Sequence, residues 1–130
     1  MARTVEIGNR EIRVDGNPVQ ILSGAMHYFR IHPDYWRDRI VKLRQCGLNT
    51  LESYLAWNVH EPKEGEFDFS GGKDFSRYFE LAAAEGLMVI VRPGPYICSE
   101  WDLGGLPAWL LTKPGMRLRC MNKPYLDAVE

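Results

Sequence analysis

Three consecutive polar residues, Cys98, Ser99 and Glu100, are the first candidates for chemistry in this sequence. Two large aromatic residues flank them, Tyr96 on one side and Trp101 on the other. The apolar faces of a sugar ring stack on aromatic side chains, and ring hydroxyls donate hydrogen bonds to a fixed carboxylate. This combination predicts a site for a polyhydroxylated ligand, with a sugar as the first candidate.

Two short strands must position these side chains. The apolar run at 87–91 predicts a buried strand, and the Pro-Gly-Pro sequence at 93–95 ends it in a sharp turn. The segment 48–55 alternates so that Glu52 and Tyr54 lie on one face of a second strand. Each strand is therefore expected to end in a loop that carries polar and aromatic residues.

Turn signals divide the start of the chain into short extended segments. Gly8-Asn9 and the residues at 15–18 favour tight turns between them. They predict a lead-in hairpin at about 1–20 and then a strand at about 20–25. The β-prone segments are 5–7, 12–14 and 19–22.

Two helices are predicted between the later strands. The first begins in a turn that contains Pro33 and ends at Gly47, and the second is capped by Asp74 and ends at Gly86. A strand follows each glycine at once. The chain therefore repeats a βα unit, which predicts parallel strands.

Parallel strands with short joints after the helices and long loops after the strands are typical of an open doubly wound sheet or a (β/α)8 barrel. No Gly-rich phosphate-binding motif favours the open sheet. We therefore expect an α/β fold, the N-terminal portion of a (β/α)8 TIM barrel preceded by a short β-hairpin. A complete barrel takes about 250 residues, whereas this chain has three predicted barrel strands and an uncapped helix at 124–130. Residues 1–130 are thus expected to be part of a larger domain.

Composition limits the classes of partner. The 130 residues are 45% hydrophobic with a net charge of -1, which predicts a globular core and gives no basic surface for nucleic acid or a membrane. The N-terminus lacks an apolar signal segment, and Cys46, Cys98 and Cys120 lack disulfide or zinc spacing. We expect a cytoplasmic protein with reduced thiols, no metal and no other cofactor.

Seven motifs distributed along the chain resemble the β-galactosidases of glycoside hydrolase family 35. The resemblance runs from about Ile21 to the end, and the motifs are long and rich in Trp, Pro and Gly. They are His27-Tyr28, Tyr35-Trp36, Gly47-Leu48-Asn49, WNVHEP at 57–62, FDF at 67–69, RPGPYICSEW at 92–101 and GGLPAWL at 104–110. The resemblance implies a retaining exo-β-galactosidase whose catalytic domain is a (β/α)8 barrel.

What the resemblance assigns to this chain is galactose binding. Tyr54 matches a tyrosine that contacts the sugar, and Ile97 lies against the same pocket. Cys98, Ser99 and Glu100 match the tripeptide whose backbone and carboxylate hold the galactose hydroxyls. The acid/base and nucleophilic glutamates of the family have no counterpart in residues 1–130, so the resemblance implies no catalytic residue here. The implied partner is a small-molecule or oligosaccharide β-galactoside, and the oligomeric state stays open.

Structural roles compete with binding for some residues. Glu52 and Arg92 are predicted to form a polar pair inside the barrel, because buried charges need partners. Glu100 is alternatively a surface carboxylate or a charge at a helix N-terminus. The large aromatics are more often packing residues than sugar platforms; they are Trp57, Tyr96, Trp101 and Trp109.

Two other chemical roles are disfavoured. Cys98 as a thiol nucleophile lacks a suitably spaced His or Asp partner. His27, His32 and His60 do not show metal-ligand spacing, so hydrogen bonding is the favoured role of these histidines. Two functional alternatives stay open, namely a related barrel glycosidase for another sugar and a non-catalytic galactoside-binding protein.

Overall fold

A computed structural model describes residues 4–130, so the first three residues of the predicted lead-in hairpin lie outside the described part of the chain. The strands of the described residues form two three-stranded sheets, one antiparallel and one parallel. The strands are β1 (Val5–Ile7), β2 (Ile12–Val14), β3 (Asn17–Val19), β4 (Ser23–Ala25), β5 (Thr50–Tyr54) and β6 (Met88–Arg92).

The antiparallel sheet confirms the predicted strands at 5–7 and 12–14 but corrects the third one. Strand β3 begins at Asn17, opposite Val14, and includes Pro18, whereas these two residues were predicted to lie in the turn. Because β3 is an edge strand of this sheet, the missing N–H of Pro18 removes no hydrogen bond from the middle of the sheet. The predicted hairpin is therefore a three-stranded meander.

The parallel sheet has the order β4-β5-β6, with Ala25 beside Glu52 and Leu51 beside Val89. Leu51 and Val89 point toward the helices, and Glu52 points to the opposite face because side chains alternate along a strand. The predicted buried strand at 87–91 is only partly buried, since Val91 is 43% exposed. Among the described residues, helices pack on only one face of this sheet.

A cavity of about 410 Å³ lies between the two sheets. Ile12 and Val14 of the antiparallel sheet line one side of it, and Met88 and Ile90 of β6 line the other. The antiparallel sheet therefore lies near the amino end of β6.

The helices confirm the predicted helix ends. Gly47 and Gly86 follow the first two long helices with φ of +87° and +80°, a conformation that glycine adopts without steric cost. The Asp74 side chain accepts a hydrogen bond from the backbone N–H of Arg77 at 2.9 Å and thus caps its helix. The helices are α1 (Trp36–Gln45), α2 (Trp57–His60), α3 (Phe75–Ala84) and α4 (Lys123–Val129).

Helix α2 lies in the segment after β5, where the sequence predicts only a loop. It is a single turn in which the N–H of Glu61 donates to the carbonyl of Trp57 at 2.8 Å. A pattern of helical periodicity needs a window of at least 11 residues, so four residues carry no such signal. None of the helices in residues 4–130 is long and apolar enough to cross a membrane.

The core lies between the parallel sheet and the α1–α3 helix layer. Trp36 of α1 is 1% exposed, and its indole N–H donates to the carbonyls of Tyr28 and Ile31 at 3.2 and 3.0 Å. Burial of a large aromatic side chain contributes about 3 kcal/mol to folding. The other fully buried residues of this cluster are Tyr28, Ile40, Leu51, Tyr78 and Ala82.

Tyr28 connects the core to the loop that follows β5. Its hydroxyl accepts from the N–H of Ala56 at 3.3 Å and donates to Nε2 of His60 at 2.5 Å. His60 Nδ1 donates to the carbonyl of Asp68 at 3.1 Å, since a carbonyl can only accept. Burial raises the pKa of Tyr28 to about 12 and lowers the pKa of His60, so both side chains are neutral at pH 7.

Replacing Tyr28 with Phe is expected to destabilise the protein by about 1–3 kcal/mol. The ring still fills its site, but the N–H of Ala56 and Nε2 of His60 lose their partner in a region where Tyr28 is 0% exposed. The measurement is the free energy of unfolding from urea denaturation. Tyr35→Phe is the matched control, because Tyr35 is 56% exposed; equal effects of the two substitutions would contradict this role of Tyr28.

Candidate sugar-binding site

The carboxyl ends of the three parallel strands lie at one edge of the sheet. Strands β4, β5 and β6 end at Ala25, Tyr54 and Arg92, and the loops after them carry the predicted site residues. Since parallel strands all point the same way, these loops meet at this edge, which is where α/β folds bind their ligands. The predicted site residues are Tyr54, Ile97, Cys98, Ser99 and Glu100.

Glu52 and Arg92 form the predicted ion pair, with an Oε1 to Nη1 distance of 3.0 Å. Their side chains are 23% and 52% exposed, so the pair is partly solvated here and contributes about 1 kcal/mol or less. The guanidinium of Arg92 lies 4.2 Å from the centre of the Tyr54 ring. Arg92 thus fixes one side of the tyrosine predicted to contact the sugar.

His27 contacts the Tyr54 ring. The two ring centres are 5.2 Å apart, and Nδ1 of His27 accepts weakly from the backbone N–H of Tyr54 at 3.4 Å. Burial lowers the pKa of His27, and the nearby Arg30 lowers this pKa further. The imidazole is therefore neutral at pH 7 and places no second positive charge on the ring of Tyr54.

Residues Cys98, Ser99 and Glu100 form a left-handed turn, with φ of 60°, 56° and 43°. The N–H of Trp101 closes this turn by donating to the carbonyl of Cys98 at 3.1 Å. Non-glycine residues reach this conformation at a cost of about 1–2 kcal/mol each. Such a turn persists only where its surroundings hold it, and strained backbone of this kind clusters at ligand sites.

The segment around Gly104 holds Ile97, the residue that precedes the turn. The N–H of Ile97 donates to the carbonyl of Gly104 at 2.8 Å, and Ile97 is 2% exposed. The Tyr96 ring lies so close that a Cβ on Gly104 would be 2.0 Å from a ring carbon. Ile97 therefore anchors the turn in the interior, while Cys98 and Glu100 are exposed.

Arg30 holds the second and third residues of the turn. Its guanidinium donates to the carbonyl of Ser99 and, at 3.1 Å, to the carbonyl of Glu100. The same group lies 5.3 Å from the centre of the Trp101 ring. Sequence reasoning missed Arg30, although its position shortly after the strand predicted at 20–25 was a usable signal.

A chain of aromatic contacts links Tyr54 to the turn. His27 stacks on Phe29 at 5.3 Å, and Phe29 lies 4.6 Å from Trp101. The Trp101 indole N–H donates to Oδ1 of Asn58 at 3.0 Å. The structure therefore brings Tyr54 and the turn into one cluster, although sequence reasoning did not identify Phe29 or Asn58 as its members.

The other aromatics act in packing, as predicted for most of them. Trp57 and Trp109 meet edge to face at 5.7 Å. Glu61, which is 5% exposed, accepts from the indole of Trp57 at 2.5 Å and from the N–H of Gly65 at 2.7 Å. This arrangement holds the loop after β5 against the segment after the turn.

The part of the chain that the structure describes contains no group of three or more His, Cys, Asp and Glu residues placed to hold a metal. Cys46, Cys98 and Cys120 are free and exposed. Both ring nitrogens of His60 take part in hydrogen bonds to protein groups, so this histidine has the structural role predicted for it.

The fold is that of an α/β protein with its candidate site at the carboxyl edge of a parallel sheet. Residues 11–130 match the family model described as Glycosyl hydrolases family 35. The chain belongs to this family, and the predicted resemblance is confirmed.

Relatives with curated names span nearly all of the chain. Human "Beta-galactosidase-1-like protein 2" is 58% identical over 85% of the chain, and the bovine "Beta-galactosidase" is 49% identical over 98% of it. The mouse "Beta-galactosidase" is 52% identical over 89%. The matched regions are 17%, 20% and 18% of these proteins, so the chain spans about a fifth of their length.

A solved structure supports the fold. The crystal structure of β-galactosidase from the psychrophilic Marinomonas ef1 superposes with a TM-score of 0.58 at 17% sequence identity. The superposition covers 72% of this chain and 13% of that one. At this identity the likeness concerns the fold alone.

Proposed function

We propose that the protein carrying this chain is a β-galactosidase that removes terminal non-reducing β-D-galactose from β-galactosides with retention of configuration. The observation that carries this proposal is the 49% identity to bovine β-galactosidase along 98% of the chain. The substrate is a small-molecule or oligosaccharide β-galactoside. Residues 1–130 form the N-terminal part of its (β/α)8 catalytic domain.

The geometry of the parallel sheet supports the barrel. Strands β4 to β6 with α1 and α3 form successive βα units, and β4 and β6 each have one edge without a neighbouring strand among residues 4–130. An unpaired strand edge favours pairing with further strands. In the complete barrel these edges pair with strands of the rest of the protein, and Glu52 faces the interior.

The candidate site supports galactose binding. Glu100 is an exposed carboxylate at the tip of the left-handed turn, and Tyr54 is joined to this turn by contacts between aromatic rings. A carboxylate accepts from sugar hydroxyls, while an aromatic side chain contacts the C–H face of the ring. We assign Tyr54, Ile97, Cys98, Ser99 and Glu100 to the galactose subsite.

Catalysis needs groups that we place outside residues 1–130. A retaining glycosidase uses one carboxyl group as acid/base and a second as nucleophile, about 5 Å apart. At the carboxyl edge, Glu52 is paired with Arg92, and Glu100 is assigned to sugar hydroxyls. This chain therefore contributes binding of the sugar, and the rest of the protein contributes both catalytic carboxyl groups.

The test is hydrolysis by the natural polypeptide that carries this chain. We expect cleavage of an aryl β-galactoside, much slower cleavage of the aryl β-glucoside, and β-galactose as the first product seen by proton NMR. Residues 1–130 alone are expected to show no cleavage. A preference for the glucoside would reassign the sugar, and cleavage by residues 1–130 at the rate of the natural polypeptide would refute the division of roles.

A further inference from the structure

The guanidinium of Arg30 donates to backbone carbonyls and does not pair with an acidic side chain of the described residues. This arginine ends the short helical turn Tyr28–Arg30 in the loop after β4. No carboxylate among residues 4–130 forms a salt bridge with it. Its hydrogen bonds within the described residues go to the carbonyls of Ser99 and Glu100. An arginine that spans 69 residues of sequence to bind two carbonyls fixes the conformation of those peptide groups.

The guanidinium is itself held in a defined orientation. Its central carbon lies 5.3 Å from the centre of the Trp101 ring and 6.0 Å from that of Phe29. A planar guanidinium that lies beside two aromatic rings gains cation–π attraction and loses rotational freedom. Arg30 is therefore a rigid support for the two carbonyls.

The bond to the Ser99 carbonyl also sets the direction of a donor. The peptide bond between Ser99 and Glu100 is trans, so its C=O and N–H point in opposite directions. The C=O points at Arg30, and the N–H of Glu100 consequently points away from it. The charge on the guanidinium also polarises this amide and strengthens the N–H as a donor.

This N–H belongs to a set of free donors. The backbone N–H groups of Cys98, Ser99 and Glu100 have no acceptor among the residues that the structure describes, whereas the next N–H, that of Trp101, is bonded to the Cys98 carbonyl. Successive N–H groups on a turn form a concave surface that binds electron-rich oxygens. A sugar hydroxyl is such an acceptor.

We infer that Arg30 is a positioning residue for galactose, because it locks and polarises the peptide group between Ser99 and Glu100 and so aims the Glu100 N–H at a sugar hydroxyl. This inference rests on the proposed function. Arg30 itself is not required to touch the sugar. It stabilises a backbone conformation that three consecutive non-glycine residues adopt at a steric cost.

The test uses three variants of the natural polypeptide. Arg30→Met removes the charge and both hydrogen bonds but keeps much of the side-chain volume. Arg30→Lys keeps the charge and offers a single compact donor group in place of the planar fork. Arg39→Met is the matched control, since Arg39 lies on the exposed side of α1, where it pairs with Asp38 and contacts the Tyr35 ring.

Three quantities are measured. They are the inhibition constant of free galactose, kcat/KM for an aryl β-galactoside, and the thermal midpoint. We expect Arg30→Met to raise the inhibition constant about 10- to 50-fold, the equivalent of losing one charge-assisted hydrogen bond. Arg30→Lys should give an intermediate value, and Arg39→Met should leave the constant unchanged. The order of the three variants supports the positioning role.

A merely structural role gives a different result. It lowers the thermal midpoint and the amount of active protein, but the inhibition constant of the remaining active molecules stays at the wild-type value, because that constant does not depend on enzyme concentration. An unchanged constant in Arg30→Met overturns the inference, and if that variant does not fold, an unchanged constant in Arg30→Lys does so. Loss of the proposed function is seen separately, as a wild-type protein that neither cleaves the galactoside nor binds galactose.

Discussion

Replacing Glu100 with Gln in the natural polypeptide is expected to lower kcat/KM for an aryl β-galactoside by about 100-fold or more. The side chain keeps its shape but loses its negative charge, and it offers one acceptor oxygen where the carboxylate offers two. In the proposed subsite, the carboxylate accepts two hydrogen bonds from sugar hydroxyls, at about 1.5–3 kcal/mol each, and the substitution weakens both. A site that recognises its substrate through hydrogen bonds to a hydroxyl loses kcat/KM steeply when one of these hydrogen bonds has no suitable partner.

The thermal midpoint should change little in this variant, because Glu100 is exposed and none of the salt bridges among residues 4–130 involves it. Glu66→Gln is the matched control. Glu66 is also an exposed carboxylate, but it pairs with Lys63 at 3.4 Å in the loop after β5. Comparable kinetics for the two variants would exclude Glu100 from the subsite and favour the surface-carboxylate explanation of its role.

The βα framework was predictable from the sequence because its signals are local. Glycine after a helix marks a positive φ, and Gly47 and Gly86 both have it. The alternation along β5 correctly placed Glu52 and Tyr54 on one face. Strand β3 was misplaced because Pro18 is a strong turn signal whose exclusion from strands does not hold at a sheet edge.

The shape of the candidate site was much less predictable. Nothing in the types of Cys98, Ser99 and Glu100 predicts a left-handed turn, because this conformation is unfavourable for each of them alone. It is held by contacts from outside the three residues, namely the guanidinium of Arg30, which is 69 residues away in sequence, and the Gly104 carbonyl, which binds the N–H of Ile97. Residue types and the family resemblance therefore predict which residues form the candidate site, but they do not predict its conformation.

Two contacts hold different parts of the turn at 98–100. Arg30 acts on its carbonyls from the loop after β4, and the segment at Gly104 holds Ile97 at the start of the turn. The first support acts through the hydrogen bonds of a side chain. The second depends on a close approach of an aromatic ring to backbone, which leaves no room for any side chain at Gly104.

Replacing Gly104 with Ala is accordingly expected to destabilise the protein by about 3 kcal/mol and to abolish galactose binding. The new Cβ would lie 2.0 Å from one carbon of the Tyr96 ring and 2.5 Å from another, and overpacking of this kind costs about 1–3 kcal/mol. The backbone φ of +60° adds about 1 kcal/mol for a residue with a Cβ. Urea denaturation and titration with galactose measure the two effects.

Gly115→Ala separates the cost of the positive φ from the cost of the clash with the Tyr96 ring. Gly115 has φ of +71° with no atom within 4 Å of an added Cβ, so this control carries the conformational cost of about 1 kcal/mol alone. In a Tyr96→Ala background the clash is absent, and Gly104→Ala should then cost no more than Gly115→Ala does. A coupling free energy of about 2 kcal/mol between positions 96 and 104 is therefore expected. If Gly104→Ala costs the same with and without the Tyr96 ring, packing of that ring against the glycine does not support the turn.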